Sequence, residues 1–386
     1  MLTIGSPRSG VGGKSEALRL KRIATYLIVP AFGVALVMLL AEVYIRVMAP
    51  QPLQHIQLDD QLYFVNRPSA RFRYAKEREY AVDVAYNAWG FRGPIPDASP
   101  APGTTRILLV GDSQTEGLQV RYDETYGAVL ERNLESLPAH RRFEVVNLAV
   151  SAYGTHQEVL TLRRYGARVR PCWVVLGFYP GNDLADNVRL PLVVEDADGV
   201  RLAQHRFSFA RRFWLGTKIW LASISHLYTL STAQLRALRS QPVLTRLGVL
   251  EPPAPDMGTW SRPLRITEQL LLLARDEAQS LGARLIVLII PERSQVMRAE
   301  SSPPTHLDDI EHHFVSWLAR EDILYAEALT SLRLAQQRGE NPFFPRDGHL
   351  NTTGHRVVGE MLAHRLALLI AEERAGTRVR ASERCR

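Results

Sequence analysis

The sequence predicts an α/β protein, a three-layer α/β/α domain on a sheet of about five parallel strands, preceded by one transmembrane helix. Two observations predict this fold. Short apolar runs rich in branched residues alternate with segments of helical spacing, and a long uncharged segment lies near the N-terminus. Strands that alternate with helices favour a mostly parallel sheet covered on both faces. The chain has 386 residues, 46% of them apolar, which is enough for a large core and attachments.

The N-terminal uncharged segment, residues 23–41, is long enough to cross a bilayer. Basic residues outnumber acidic ones before it, which predicts a cytoplasmic N-terminus and an exported body. A cleaved signal peptide is the alternative, but the sequence EVYIRVMAP that follows has no convincing small-x-small cleavage site. We therefore expect a cytoplasmic basic tail at 1–22, a membrane anchor at 23–45, and a body in the periplasm or outside the cell.

The formal net charge of +7 is concentrated at the two ends of the chain. Residues 1–22 carry +4 and the residues from 371 onward carry +2, which leaves +1 for everything between them. A nearly neutral body argues against a phosphate-binding face, so we expect no nucleic acid as partner. The two cysteines, Cys172 and Cys385, suggest neither a disulfide framework nor a zinc site. No metal or other cofactor is expected.

Residues 46–104 connect the anchor to the body. The apolar residues Tyr80, Val82 and Val84 alternate with others and predict a strand, and residues 94–105 are a proline-rich linker. The body is expected at 105–372, with an insertion at about 184–262 and a basic tail at 373–386. The insertion mixes aromatic residues, leucine and arginine at helical spacing, which is consistent with a helical cap over a site, a membrane-facing platform, or a small core of its own.

Five apolar runs in the body are the predicted strands. They begin at Arg106, Glu144, Trp173, Arg284 and Ile323. The segments with helical spacing are 123–137, 156–169, 265–282, 307–321 and 353–373. No internal repeat is visible.

Polar residues follow the end of each predicted strand. They are Gly111-Asp112-Ser113, then the sets at 151–154, 180–183, 291–295 and 346–351. Ligands of open α/β sheets bind at the carboxyl ends of the strands, and a parallel sheet brings all these ends to one edge.

These residue types are those of nucleophilic acyl transfer. A serine hydroxyl is a weak nucleophile without a base, so we expect His349 to activate Ser113 and Asp347 to orient His349. Donors for the negative charge of the intermediate are expected from the Ser113 amide, an amide of Ala152 or Gly154, and the Asn182 side chain. Arg293 is a candidate residue for binding an anionic or sugar substrate.

The order of GDS (111–113), NLAVSAYG (147–154), GND (181–183) and DGH (347–349) resembles the SGNH, or GDSL, hydrolase superfamily. It is most similar to the membrane-anchored, extracytoplasmic branch of polysaccharide O-acetyltransferase-like proteins. The resemblance covers about residues 105–183 and 264–370. It implies a flavodoxin-like sheet and the same assignment of nucleophile, triad and oxyanion hole.

Two positions depart from that family's pattern. Ala152 stands where the family has glycine, and a backbone of positive φ there would strain alanine. The terminal motif is Asp-x-His rather than the usual Asp-x-x-His.

We therefore expect an extracytoplasmic serine esterase or O-acyltransferase that acts on acyl, above all acetyl, esters of a cell-envelope glycan. The motifs do not separate hydrolysis from transfer, because only the acceptor of the acyl group differs. A catalytically inactive glycan-binding scaffold is the alternative, and Ala152 is the feature that favours it. The sequence identifies no membrane partner that would supply the acyl group.

Overall fold

The computed structural model describes residues 12–136, 142–196, 199–203, 205–239, 257–299 and 303–374. Half of the predicted cytoplasmic tail, nearly all of the C-terminal basic tail and part of the insertion therefore lie outside the described residues.

The N-terminal part is one long helix followed by two antiparallel hairpins. Helix α1 covers Gly12–Met48. Its segment Thr25–Met48 has a mean hydropathy of 2.2 and is long and apolar enough to cross a membrane. The hairpins pair β1 (Ile56–Asp59) with β2 (Tyr63–Asn66), and β3 (Arg71–Lys76) with β4 (Tyr80–Ala85). The predicted alternation forms β4, in which Tyr80, Val82 and Val84 are buried.

The remaining strands and helices form the body. The strands are β5 (Thr104–Gly111), β6 (Arg142–Asn147), β7 (Trp173–Phe178), β8 (Val193–Asp196), β9 (Gly199–Leu202), β10 (Arg284–Ile289) and β11 (Leu324–Glu327). The helices are α2 (Ser113–Glu116), α3 (Tyr126–Glu135), α4 (Thr155–Val169), α5 (Asp183–Arg189), α6 (Phe209–Ile224), α7 (His226–Arg239), α8 (Met257–Ser280), α9 (Arg293–Met297), α10 (His306–Arg320), α11 (Leu329–Gln337) and α12 (Thr352–Arg374).

The central sheet has five parallel strands in the order β11-β10-β7-β5-β6. This confirms the predicted α/β/α fold, and the order is that of flavodoxin-like sheets. Side chains of successive strand residues point to opposite faces, so Leu108 and Val110 enter one core cluster while Ile107 and Leu109 enter the other. Helices α4, α8 and α10 cover the first face, and α3, α11 and α12 cover the second.

The described part of the insertion contains the hairpin β8–β9 and the helices α6 and α7. Helices α6 and α7 contact the end of α1 that leads into the body. The Arg46 guanidinium donates to the Ile224 carbonyl at 2.7 Å, and the Glu42 carboxylate accepts from the His226 and Leu227 amides at 2.9 Å. No described residue of these two helices lines the cleft that contains Ser113. The described helices therefore do not form a cap over that cleft.

Cys172, directly before β7, is disulfide-bonded. The two cysteines suggest no disulfide framework in the sequence, and their pattern did not predict this single bond. A single pair of cysteines far apart in the sequence has no spacing that would reveal it.

Candidate active site

Ser113 lies where the interior strand β5 ends and the short helix α2 begins. The Asp112 carboxylate caps this helix by accepting the Gln114 amide at 2.9 Å, and Ser113 is the first helical residue. A side chain at Gly111 would meet the Thr115 hydroxyl at 2.2 Å, so the turn has no room for one. The local sequence thus places the Ser113 hydroxyl at the carboxyl end of the sheet.

The structure brings Ser113, His349 and Asp347 together. The Ser113 Oγ lies 2.8 Å from His349 Nε2, and His349 Nδ1 is hydrogen-bonded to Asp347 Oδ1. Gly348, between the two, has a φ of 82°, a conformation that glycine adopts readily. The shorter Asp-x-His spacing therefore still allows the carboxylate to contact the imidazole.

The carboxylate of Asp347 is also held by the hairpin β3–β4. Its Oδ2 accepts hydrogen bonds from Lys76 Nζ at 3.0 Å and from the Tyr80 hydroxyl at 3.1 Å. Burial alone would raise the pKa of Asp347. The hydrogen bond with His349 and the Lys76 cation outweigh burial and hold this pKa well below its usual range. Asp347 is therefore ionised. Its negative charge can orient the His349 imidazole and stabilise the charged form of that ring.

Glu79, in the same hairpin, fixes the backbone of the DGH loop. Its carboxylate accepts the amides of Arg346 at 2.5 Å and Asp347 at 3.3 Å, and it pairs with Lys76 Nζ at 3.2 Å. Sequence reasoning missed Lys76, Glu79 and Tyr80 as site residues. Alternation around Tyr80 indicated a buried strand face, but nothing local indicated that the face would meet the DGH loop.

Asn182 meets the GDS turn through Asp112. The Asn182 Nδ2 donates to Asp112 Oδ2 at 3.2 Å, which leaves the second hydrogen of that amide for another acceptor. Asp112 is fully buried, and burial raises its pKa against the opposing effect of the Gln114 amide. Asp112 thus orients Asn182 as well as capping α2.

The loop after β6 is hydrogen-bonded to the buried Glu116 carboxylate of α2. The Glu116 side chain accepts the Ser151 amide at 2.6 Å, and also the Asn66 amide and the Tyr86 hydroxyl at 2.8 Å each. The next residue, Ala152, is exposed and has a φ of 65°. Ala152 therefore has the left-handed backbone conformation, which strains a residue other than glycine.

Gly154, the second candidate for the oxyanion hole in this loop, is buried and precedes α4. A side chain there would meet Asn187 Oδ1 at 2.8 Å. Neither Ala152 nor Gly154 is among the residues that line the described cleft. That the amide of Ala152 or Gly154 contributes to the oxyanion hole stays a prediction.

A cleft of about 380 Å³ joins these elements at one edge of the sheet. The expected residues that line it are Ser113, Asn182, Arg293, Asp347 and His349. Four further lining residues belong to the predicted strand-end sets, namely Glu292, Ser294, Arg346 and Gly348, and the sequence did not single out the remaining three, Gln114, Tyr179 and Pro345. Arg293 has a buried Nε with no hydrogen-bond partner among the described residues.

The fold and the cleft together define the class, an α/β protein with a Ser-His-Asp set at the carboxyl edge of its sheet. Within that class, residues 259–384 match a family model described as SGNH hydrolase-like domain, acetyltransferase AlgX. The similarity to the SGNH hydrolase superfamily that the motifs predict is thereby confirmed. The match includes Asp347 and His349 but covers less than half of the chain, and Ser113 and Asn182 precede it. It supports acyl-ester chemistry in general terms.

Solved structures with some similarity to this chain include proteins from Veillonella parvula and Geobacillus stearothermophilus. A member of the lipolytic protein G-D-S-L family from Veillonella parvula is 13% identical, with 68% of this chain and 98% of that chain covered and a TM-score of 0.39. Axe2, an acetylxylan esterase from Geobacillus stearothermophilus, is also 13% identical, with 68% and 94% covered and a TM-score of 0.39. Similarity at this level says nothing about activity. No curated protein matches the chain.

Proposed function

We propose that this protein is an extracytoplasmic serine esterase or O-acyltransferase that works through an acyl-serine intermediate. The observation that carries the proposal is the line of contacts from the Ser113 hydroxyl to His349 Nε2 at 2.8 Å and from His349 Nδ1 to Asp347. A hydroxyl, a base and an orienting carboxylate in this order form an activated nucleophile.

In the first step, Ser113 Oγ attacks the acyl carbonyl carbon while His349 Nε2 takes the hydroxyl proton. The oxyanion that forms is stabilised by the Ser113 amide, the Asn182 side chain and an amide of Ala152 or Gly154. The ester C–O bond then breaks, and His349 returns the proton to the departing alcohol. In the second step, water or a sugar hydroxyl attacks the carbonyl carbon of acyl-Ser113 and gives its proton to His349. The bond between that carbon and Ser113 Oγ then breaks, His349 returns the proton to Oγ, and the acid or the acylated sugar is released.

The proposed substrate is an acetyl ester of a cell-envelope glycan. The description of the matching family model names an acetyltransferase, which supports acetyl as the acyl group that Ser113 takes up. Arg293 lines the cleft, and its guanidinium cation supports a polar or anionic substrate.

We infer that the catalytic domain lies outside the cytoplasm and follows a single membrane anchor at residues 23–45. The apolar side chains of α1 are exposed along the described part of this segment, which supports a lipid environment. The disulfide at Cys172 supports an oxidising compartment, because cytosolic thiols are kept reduced. We retain the division into a connecting segment at 46–104 and a catalytic domain at 105–372.

The proposal is tested with the full chain in detergent and an activated acetyl ester as substrate. We expect release of acetate with the native chain, none above background with Ser113→Ala, and native rates with Ser294→Ala, a serine of the same cleft. Added oligosaccharide distinguishes the two acceptors, because transfer yields an acetylated sugar detectable by mass. Turnover that survives Ser113→Ala would contradict the proposal, and tight sugar binding without turnover would favour the inactive scaffold. A reporter fused after residue 46 tests the topology separately.

A further inference from the structure

Helix α6 presents a face of large apolar side chains to its surroundings. Four aromatic residues of this helix are exposed, namely Phe209 at 87%, Phe213 at 70%, Trp214 at 59% and Trp220 at 56%. Phe209, Phe213 and Trp220 line one shallow groove of the helix surface. We call Phe209, Phe213 and Trp220, which share one side of the helix, the aromatic face of α6. Trp214 is exposed about 100° further round the helix, next to Lys218. Soluble surfaces rarely expose a contiguous apolar patch of this kind without a partner.

Polar contacts near both ends of α6 attach the helix to the body. Arg212 pairs with Asp60 in the segment after β1 at 2.5 Å, and Arg211 donates to the Tyr63 hydroxyl at 3.1 Å. The Ala222 carbonyl accepts the Gln54 amide at 3.1 Å. These contacts fix the helix in position and leave the aromatic face without a partner among the described residues.

The aromatic face begins close to the end of the proposed anchor. Ile224, the last residue of α6, accepts a hydrogen bond from Arg46 of α1. Trp220 precedes it by about one helical turn, or about 6 Å along the axis. Glu42 of α1 holds the start of α7 by accepting two of its amides. The end of α6 that contains Trp220 therefore lies close to the end of the proposed anchor.

The composition of α6 fits a lipid interface. Between Phe209 and Ile224 it has three basic residues and no acidic one. Lys218 Nζ lies 4.8 Å from the centre of the Trp214 ring. Tryptophan and phenylalanine beside basic residues are typical of helices that lie at the level of lipid headgroups.

We propose that the aromatic face of α6 inserts into the lipid headgroup region on the exported side of the membrane and holds the catalytic domain against the bilayer surface. The proposal rests on the membrane anchor of the proposed function, and not on its chemistry. It assigns the insertion the role of a membrane-facing platform.

Tryptophan fluorescence in nanodiscs tests this placement with the full chain. Residues 1–52 contain no tryptophan, so the anchor itself gives no signal. We expect bromine-labelled phosphatidylcholine to quench the native chain, and the double variant Trp214→Phe/Trp220→Phe to lose most of this quenching. Phenylalanine keeps the exposed aromatic surface, so folding is preserved. Trp89→Phe is the control, because Trp89 is stacked on Tyr165 at 5.6 Å, and it should leave the quenching unchanged.

Each other outcome overturns the proposal. A chain that elutes with the nanodiscs but is not quenched has its anchor in the bilayer and its aromatic face elsewhere. Tryptophan emission that changes with the number of chains per disc, and not with bromine, would assign the face to a second copy. A chain that does not elute with the discs would refute anchor and platform together, while acetate release by the same sample still reports on the proposed chemistry.

Discussion

Each oxygen of the Asp347 carboxylate has a separate set of partners. Oδ1 contacts the His349 imidazole, and Oδ2 accepts from Lys76 and Tyr80. A carboxylate that is fixed on both oxygens cannot turn away from the imidazole, and one that stays ionised stabilises the imidazolium formed during acyl transfer. Lys76 is therefore a positioning residue for the proposed reaction.

The substitution Lys76→Met removes the cation next to Asp347 and keeps the length of the side chain. We expect kcat/KM for an activated acetyl ester to fall about tenfold, because a hydrogen bond to a charged group contributes about 1.5 kcal/mol or more. The pKa of Asp347 should rise toward its ordinary value, so the acid limb of the pH profile should move to higher pH. Lys76→Arg should restore most of the activity.

Arg73→Met is the matched control on the same hairpin, since Arg73 forms an exposed pair with Asp83. It should leave kcat/KM and the pH profile unchanged. An unaltered pH profile in Lys76→Met would show that Lys76 does not act through Asp347.

Ala152 gives a second prediction at the residue scale. A left-handed conformation costs a non-glycine residue roughly 1–2 kcal/mol, while glycine loses about 0.5–1 kcal/mol through its greater freedom in the unfolded chain. With its φ of 65°, we expect Ala152→Gly to keep or raise the melting temperature. Ala81→Gly, at an exposed position of β4, should lower it. Equal losses in the two variants would refute strain at Ala152.

At the scale of elements, Glu116 joins three parts of the chain. They are the GDS turn, the loop after β6 and the connecting segment before the sheet. This carboxylate is 1% exposed and accepts from Asn66, Tyr86 and Ser151. The residues come from four separate segments of the chain. The hydrogen bonds to the buried Glu116 carboxylate therefore fix the relative positions of these segments, which include the proposed catalytic groups.

The substitution Glu116→Gln replaces one oxygen by a donor. In either orientation of the amide, at least one neighbouring donor loses its acceptor, which costs about 1–3 kcal/mol. We expect a lower melting temperature and slower ester turnover. Glu135→Gln, at an exposed position of α3, should change neither. A native melting temperature in Glu116→Gln would contradict this role.

The elements of the sheet were predictable because their signals are local. Runs of branched apolar residues predict β5, β6, β7, β10 and β11, and polar residues at their ends predict the edge at which Ser113, Asn182 and His349 meet. Lys76 and Glu79 were not predictable, because their role depends on a hairpin that crosses to a loop far along the sequence. The disulfide at Cys172 was missed for the same reason. No local pattern encodes which distant segment a surface residue will contact.

At the scale of the whole molecule, the chain buries ionisable groups close to the proposed site. His355 in α12 is fully buried, and its Nδ1 accepts the Tyr126 amide at 3.2 Å. Burial, together with the charges of Arg92 and His349, lowers the pKa of His355 to about 3. His156 in α4 is also buried, and burial lowers its pKa to about 4.

These histidines make stability depend on pH in a defined direction. The folded state keeps them neutral, while the unfolded chain takes up protons below the ordinary pKa of 6.5. Stability should therefore be fully present above pH 6.5 and should fall as the pH drops toward the folded values. We expect His355→Gln to flatten this fall in melting temperature between pH 7 and 5 without abolishing it, since His156 remains.

The exposed His364 provides the control, because His364→Gln removes an imidazole without altering a buried one. Its melting temperature should follow the native pH dependence. An identical pH dependence in His355→Gln would contradict the assignment of acid sensitivity to buried His355.

The account depends most on Ser113 as the nucleophile, and covalent labelling tests it directly. The full chain is treated with a fluorophosphonate and digested, and the modified peptide is identified by mass. We predict one adduct, on the peptide that contains Ser113, retained in Ser294→Ala and strongly slowed in His349→Ala. An adduct on another residue, or labelling that persists in Ser113→Ala, would contradict the account.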